Sequence, residues 1–336
     1  MENTPGVQQL FFQHIKSSLP QHLSLVDEIA ELLNISNDSA YRRIRGEKPV
    51  AFDELRILCL HFKISLDQLF HLQSDSFIFS GKLSDNTSNF FDEWMKDVLQ
   101  KYSYICSFEK KHLYFISKDL PFQSFFQVPE LARFKFFLWM RTFLRYEDLR
   151  NKKFSIADQY ETYEATGKKI IQAYNKIPTT EIWNYECINS TIRQIEFYKE
   201  ANFFQSKNDV FVLYTKLEEL ITFIEMQAEA GKKWTNGETP NLSSADYNLY
   251  IDELSLGSNT VLAEINNSKL CFLNHSIMNI IGTSDERFNN YIYERTLNII
   301  QKSTQISKVG EKARSRFFNS LREKVDRRKS ALKSAV

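Results

Sequence analysis

The sequence predicts a mainly α-helical protein with at least two domains. Its 336 residues exceed the size that one hydrophobic core usually serves. It contains nine Gly and seven Pro, too few for a protein built from many tight turns. Apolar residues recur at intervals of three and four along most of the chain, which indicates long amphipathic helices.

The composition argues against a membrane or secreted protein. The N-terminus lacks a basic segment followed by an apolar one, so we expect neither a secretory signal nor an anchor. The most apolar stretch, 134–144, contains Lys135 and Arg141 and is too short to span a bilayer. The cysteines lie far apart and are expected to be buried thiols: Cys59, Cys106, Cys187 and Cys271. We therefore expect a cytoplasmic protein without a metal or cofactor.

The first domain is predicted from two helices joined by a tight turn. Ser24 is a suitable N-cap for a helix over 25–33, whose early acidic residues suit the positive helix end. Asn34 tolerates the left-handed conformation that a short turn needs, and Ser36 can cap the next helix. Ile35 is expected to fill the space between the two helices. This pattern predicts a helix-turn-helix.

The second helix of the pair, Asn37–Arg45, is short and ends before Gly46, where a stop is expected. Ala40 and Ile44 are predicted to face the core together. At about 100° per residue, this orientation points Asp38, Arg42 and Arg45 outward and leaves Tyr41 and Arg43 on the flanks. A short helix with small residues first and outward arginines suits the major groove of DNA, because arginine can pair with guanine or hold phosphate.

Further helices are predicted over 52–62, with apolar residues at helical spacing, and over 66–70, capped by Ser65. With these two helices added, the first 70 residues resemble the lambda-repressor/Cro (XRE) family of transcriptional regulators. The resemblance rests on the following segments: Ile29-Ala30, the Asn34-Ile35-Ser36 turn, the Arg45-Gly46 stop and the ending Ile64-Ser65-Leu66-Asp67-Gln68-Leu69. Residues 38–46 look most like regulators that carry a larger C-terminal domain.

The resemblance implies a five-helix DNA-binding domain over residues 1–75 that binds double-stranded DNA, as a homodimer, through Asn37–Arg45 in the major groove. The predicted DNA-contacting residues are Ser36, Asn37, Asp38, Ser39, Tyr41, Arg42, Arg43, Arg45 and Lys48. The family has an aliphatic residue seven positions after the capping serine, where this sequence has Arg43. Arg42 and Arg43 are therefore both candidates: either one would read bases while the other contacts phosphate.

Residues 76–89 are predicted to be a linker or an entering strand, Phe77–Phe79, before a helix-rich α+β domain over 90–336. Its predicted helices are 89–102, 129–146, 156–176, 180–201, 209–232 and a basic helix over 311–333. Strands are predicted at 113–116, 260–265 and 270–273, the last two as a hairpin. These strands predict a small antiparallel sheet. The domain is expected to mediate dimerisation or sense a signal, with an effector that the sequence does not identify.

The aromatic residues of this domain fit either a ligand pocket or a core, and core packing is the commoner role. These aromatic residues include Phe122, Phe125, Phe126, Phe134, Phe136, Phe137 and Trp139. No phosphate-binding loop, nucleophile elbow or metal motif is present, so we expect no enzymatic activity.

Charge leaves two functions open. Residues 302–333 carry eleven Lys and Arg against three acidic residues, as expected near a polyanion. Residues 1–75 carry ten acidic residues against seven Lys and Arg, which weakens non-specific attraction to DNA. The leading prediction is a sequence-specific DNA-binding regulator. The alternative is an interaction scaffold whose repressor-like head binds a protein and not DNA.

Overall fold

A computed structural model of the chain describes residues 6–19, 23–62, 64–70, 77–82, 89–253, 257, 259–266, 268–276 and 278–333. Contacts divide the chain into two compact units, Met1–Ile78 and Phe79–Val336, and each is described by itself. Much of the predicted linker, residues 83–88, lies outside the described residues. The strand predicted at Phe77–Phe79 is absent, because the strand pairing in this segment begins at Ser80.

The described residues of the first unit form five helices around a small apolar core. They are α1 (Val7–Ser18), α2 (Leu25–Leu33), α3 (Asn37–Ile44), α4 (Phe52–Phe62) and α5 (Leu66–Phe70). Phe11, Phe12 and Ile15 of α1 are buried together with Ile29 of α2 and Leu58 of α4. Helix α1 therefore contributes three of the most deeply buried side chains of this core.

The second unit combines helices with one large sheet. Its helices are α6 (Phe90–Cys106), α7 (Pro129–Leu138), α8 (Glu161–Tyr174), α9 (Asn189–Glu200), α10 (Lys207–Ala230), α11 (Glu286–Lys302) and α12 (Glu311–Lys333). Its strands are β1 (Ser80–Gly81), β2 (Lys111–Ser117), β3 (Thr179–Trp183), β4 (Tyr247–Ile251), β5 (Thr260–Ile265), β6 (Ser268–Asn274), β7 (Ile280–Thr283) and β8 (Thr304–Gln305). A 3₁₀ segment over Phe122–Gln127 precedes α7, and a π-helical turn over Trp139–Phe143 follows it.

The prediction of a small antiparallel sheet is wrong. The eight strands form one mixed sheet in the order β1-β7-β6-β5-β2-β3-β4-β8, in which β2, β3 and β4 run parallel. Parallel neighbours need long crossovers, here through α7 and α8 and then through α9 and α10. All five residues of β3 are buried, so the strand lacks the alternation that would separate it from the helix predicted over 180–201.

Helices cover both faces of the sheet. On β2, Phe115 belongs to the large core that includes α6, α7, α8 and α10, whereas its neighbour Ile116 joins a separate cluster on the opposite face. That second cluster contains Ile299 and Ile300 of α11, a helix that the sequence analysis did not predict. Successive residues of a strand point to opposite faces, so both helix layers are needed to bury this sheet.

The basic C-terminal helix α12 packs along α10. Phe317, Phe318, Leu321 and Val325 are buried on one side of α12, as its helical spacing predicts. Its basic residues meet acidic residues of α10 across this contact: Arg322 pairs with Glu225, and Lys329 pairs with Glu218. Part of the basic charge that suggested a polyanionic partner is therefore matched within the second unit.

The large core is rich in aromatic contacts, and Phe134 of α7 takes part in three of them. Its ring is fully buried and lies 5.4 Å from that of Phe154, 5.5 Å from that of Tyr198 and 5.9 Å from that of Phe204, measured between centroids. Such pairs add to the free energy of burial when the rings are offset or perpendicular. Phe134 therefore fills a core position, one of the two roles that the sequence allowed.

We expect Phe134→Ala to lower the free energy of unfolding of the second unit by about 3–5 kcal/mol, because it leaves a cavity among rings that cannot all relax. All four tryptophans lie in this unit, so urea unfolding followed by tryptophan fluorescence reports on it. The matched control is Phe197→Ala on α9, where 54% of the residue is exposed. Equal losses in the two variants would contradict the packing described here.

Candidate nucleic-acid interface

Helix α3 begins and ends with the local chemistry that the sequence predicts. Ser36 Oγ accepts a hydrogen bond from the Ser39 N–H at 3.3 Å, so the serine is the N-cap. Asn34 adopts the left-handed conformation with a φ of 51°, and Gly46 has a φ of 80°. These three predictions are confirmed, and they place α3 between two sharp turns.

Two glutamines of α1 bind the C-terminal end of α3. Gln8 Nε2 donates hydrogen bonds to the carbonyl oxygens of Arg43 at 2.7 Å and Lys48 at 2.8 Å. Gln9 Nε2 donates to the Arg45 carbonyl oxygen at 2.8 Å. The last carbonyls of a helix lack partners within it, so these amides stabilise the helix end. Helix α1 thereby fixes the orientation of α3 and the loop that follows it.

Arg43 is buried, which corrects its prediction as a DNA-contacting residue. Its side chain is 5% exposed and forms a two-pronged ion pair with Glu54 of α4, at 3.0 Å from Nε and 2.6 Å from Nη2. Its Nη1 donates to the Ser39 carbonyl oxygen at 3.1 Å. A guanidinium held on both of its edges in the interior cannot reach a DNA groove.

Arg42 and Arg45 lie on the opposite side of α3 and face solvent. Their side chains are 55% and 59% exposed. The Arg45 guanidinium stacks 4.5 Å from the centroid of the Tyr41 ring, which is itself exposed. Glu47 lies 3.9 Å from Arg42 and 3.6 Å from Arg45, measured between charged atoms. The carboxylate therefore competes with any other anion that approaches the two arginines.

The remaining predicted residues lie on the same helix and its flanks. Those that are exposed are Ser36, Asn37, Asp38 and Lys48, whereas Ser39 is half-buried. Asn37 Nδ2 donates to Asp27 of α2 at 2.9 Å, so its amide is partly occupied. We refer to Ser36, Asn37, Asp38, Tyr41, Arg42, Arg45 and Lys48 together as the α3 surface. It combines hydrogen-bonding side chains at the start of the helix with cations at its end.

The sequence analysis missed the residues that hold the α3 surface in place. Gln8 and Gln9 precede an apolar run and resemble any polar helix start, and Glu54 resembles any acidic residue in a first helical turn. The one local signal was Arg43 itself, a charged residue at a position where the resemblance described above predicts, in most cases, an aliphatic side chain. A buried arginine needs an acidic partner, which is the reason to search for one nearby.

Comparisons with protein-family models, with curated proteins and with solved structures found no match to this chain. Within the described ranges, no helix combines the length and the apolar character needed to cross a membrane. No group of three or more His, Cys, Asp and Glu side chains in that same part of the chain is arranged to hold a metal ion.

We expect Glu54→Gln to lower the free energy of unfolding of the first unit by about 2–3 kcal/mol at pH 7, because the Arg43 guanidinium loses its counter-charge while it stays buried. Amide hydrogen exchange in α2, α3 and α4 measures this loss. Glu31→Gln, at an exposed position of α2, is the matched control and should change exchange little.

The same pair makes stability depend on pH. Hydrogen bonding to Arg43 lowers the pKa of the Glu54 carboxyl below its usual range. The stabilisation from this group is therefore complete above the pKa of the unfolded chain and is lost as the pH falls through the lower folded pKa. Glu54→Gln should remove this part of the acid sensitivity. Persistence of the full acid sensitivity in the variant would show that the pair is not its source.

Proposed function

We propose that this protein is a sequence-specific DNA-binding transcriptional regulator whose α3 enters the major groove. The observation that carries the proposal is that three nearby arginines differ in exposure. Arg43 is buried against Glu54, whereas Arg42 and Arg45 are exposed at the end of a short capped helix. Burial of Arg43 makes α3 rigid. Rigid presentation of a few side chains is what base reading requires.

The dimensions of α3 support this proposal. Its eight residues give a helix about 12 Å long, and an α-helix with its side chains is about 10–12 Å across, which fits the major groove of B-DNA. Ser36, Asn37 and Asp38 stand at its N-terminal end, the end that contacts base edges in helix-turn-helix proteins. Arg42 and Arg45 follow, at positions suited to guanine or to phosphate.

The charge balance of the first unit indicates how binding would be achieved. Ten acidic residues against seven Lys and Arg over residues 1–75 provide little general attraction to DNA. Affinity would then depend on local contacts and on two copies acting together. We therefore propose a homodimer that places two α3 helices in successive major grooves of a palindromic operator.

Substitution of the two exposed arginines tests the surface directly. We expect Arg42→Ala and Arg45→Ala each to weaken specific DNA binding by about 1–3 kcal/mol if the side chain reads a base, with relaxed specificity at that position. A phosphate contact would instead weaken binding to all sequences alike and lower the salt slope by about one. Selection of bound fragments from genomic DNA followed by gel-shift titration measures both quantities.

Arg56→Ala, at an exposed position of α4, is the control for general loss of positive charge. Unchanged binding in Arg42→Ala and in Arg45→Ala would contradict the assignment of the α3 surface.

Glu47 provides a substitution with the opposite expected sign. Its carboxylate lies within 4.0 Å of both exposed arginines and would face the phosphates that they approach. We expect Glu47→Gln to strengthen DNA binding by about 0.5–1 kcal/mol, roughly two- to fivefold, because an exposed ion pair no longer has to be broken. Glu31→Gln is the matched control on α2. Weaker binding in Glu47→Gln than in the control would argue against DNA contact at this surface.

The acidic balance of the first unit also favours a second candidate, an interaction scaffold that binds a protein and not DNA. Gel-shift titrations of the full chain at several salt concentrations separate the two candidates. A regulator retains some fragments in the presence of competitor DNA, and its affinity falls steeply with salt. A scaffold retains no fragment under the same conditions.

A further inference from the structure

The second unit contains a cavity of about 180 Å³. Side chains of α6, β2, α9 and the β5–β7 edge line it, together with the 3₁₀ segment over Phe122–Gln127. It extends from Lys101, whose side chain is 45% exposed, to Gln123, which is fully buried. An apolar cavity of about 150 Å³ accepts benzene, so this one has room for a molecule of about one ring.

The most deeply buried polar side chain of the cavity lining is the amide of Gln123. Gln123 is buried, and neither its Nε2 nor its Oε1 has a hydrogen-bond partner among the described residues. A buried amide left in this state costs free energy, and most such groups in proteins are paired. Both amide atoms have almost no accessible surface, so a bound polar group would pair with Gln123 only after its side chain turned toward the cavity.

Lys135 of α7 lines the same cavity as a buried cation. Its Nζ donates to Thr191 Oγ1 at 2.9 Å and Gln194 Oε1 at 2.7 Å, and it lies 4.0 Å from the centroid of the Phe125 ring. Both hydrogen-bond acceptors are neutral. No carboxylate in the described part of the chain lies within 4.0 Å of this Nζ. The charge of Asp119 acts on this ammonium without contacting it. An ammonium buried without a contacting anion is unfavourable, so an anion in direct contact would stabilise it.

The geometry points to this cavity as the binding site of a small carboxylic acid, with its carboxylate on Lys135 Nζ and a body of about one ring against the surrounding aromatic side chains. The side chains of Phe115, Phe122 and Trp139 form part of the apolar lining of the cavity. A phosphate ester fits less well, because its second charge would meet the carboxylate of Asp119, and the other lysine of the lining, Lys101, is already paired with Asp97.

Three charged side chains line the cavity: Lys101, Asp119 and Lys135. Asp119 is hydrogen-bonded to Asn259, and burial raises the pKa of its carboxyl. Burial lowers the pKa of the Lys135 ammonium to about 7, and the charge of Asp119 opposes this change. A carboxylate that binds beside Lys135 favours the protonated ammonium. Binding should therefore be strongest below pH 7 and weaken above it, by up to about tenfold per pH unit.

Calorimetric titration of the full chain with phenylacetate, and with 2-phenylethanol as the neutral comparison of similar size, tests this site. We expect phenylacetate to bind at least about tenfold more tightly at pH 6, as one hydrogen bond between charged groups provides. Quenching of Trp139 in the cavity wall should follow the same titration. Binding of neither probe at millimolar concentration, or equal binding of both, would overturn the proposal.

Lys135→Met keeps the length of the side chain but removes its charge. This variant should bind both probes within about twofold of each other and show no change between pH 6 and pH 8, because no titrating cation remains in contact with the ligand. Its binding of 2-phenylethanol and its thermal unfolding show that the cavity is intact. If Lys135→Met retained the preference for phenylacetate, the carboxylate would not lie on Lys135. These titrations contain no DNA, so their result does not depend on whether the α3 surface binds DNA.

Discussion

A guanidinium can be buried only if its charge and its N–H groups are matched, and this constraint organises the first unit. Arg43 is matched by Glu54 on two edges and by the Ser39 carbonyl oxygen. Breaking such a pair leaves an uncompensated charge in the interior, so α3 cannot easily rotate about its axis. Because Arg43 points inward, Arg42 and Arg45 must point outward. The surface proposed to contact DNA thus depends on an arginine that does not contact it.

Two buried lysines of the second unit show how a similar burial can serve different roles. Lys233 donates to the Tyr174 carbonyl oxygen at 2.8 Å and to Thr179 Oγ1 at 2.5 Å, and the carboxylate of Glu181 lies in the same buried cluster. Its hydrogen bonds and counter-charge come from the protein. Lys135 has two neutral acceptors, the charge of Asp119 nearby and a cavity beside it. The difference in what surrounds each ammonium, not burial alone, distinguishes a structural lysine from a candidate binding residue.

The net charge of a sequence segment does not show which groups its charged side chains contact. The segment 302–333 has the composition of a nucleic-acid-binding tail, yet Arg322 and Lys329 pair with acidic residues on α10. Conversely, the first unit is acidic by count, and its cations are concentrated around one short helix. The direction in which a charged side chain points therefore matters more for binding than the net charge of its segment.

The sequence by itself determined features that depend on neighbouring residues. Asn34, Ser36 and Gly46 set the turn and the ends of α3 by their own backbone preferences, and the bounds of β5 and α12 follow from their local patterns. It also indicated helices for most of the second unit, although β3 was read as part of one.

Only the tertiary structure decided which arginine is buried, how β2, β3 and β4 pair in parallel, and that Lys135 lines a cavity together with residues of α6 and α9. The physical reason is that each of these contacts joins residues distant in sequence. No local backbone preference encodes such a pairing, which depends on how the whole core packs.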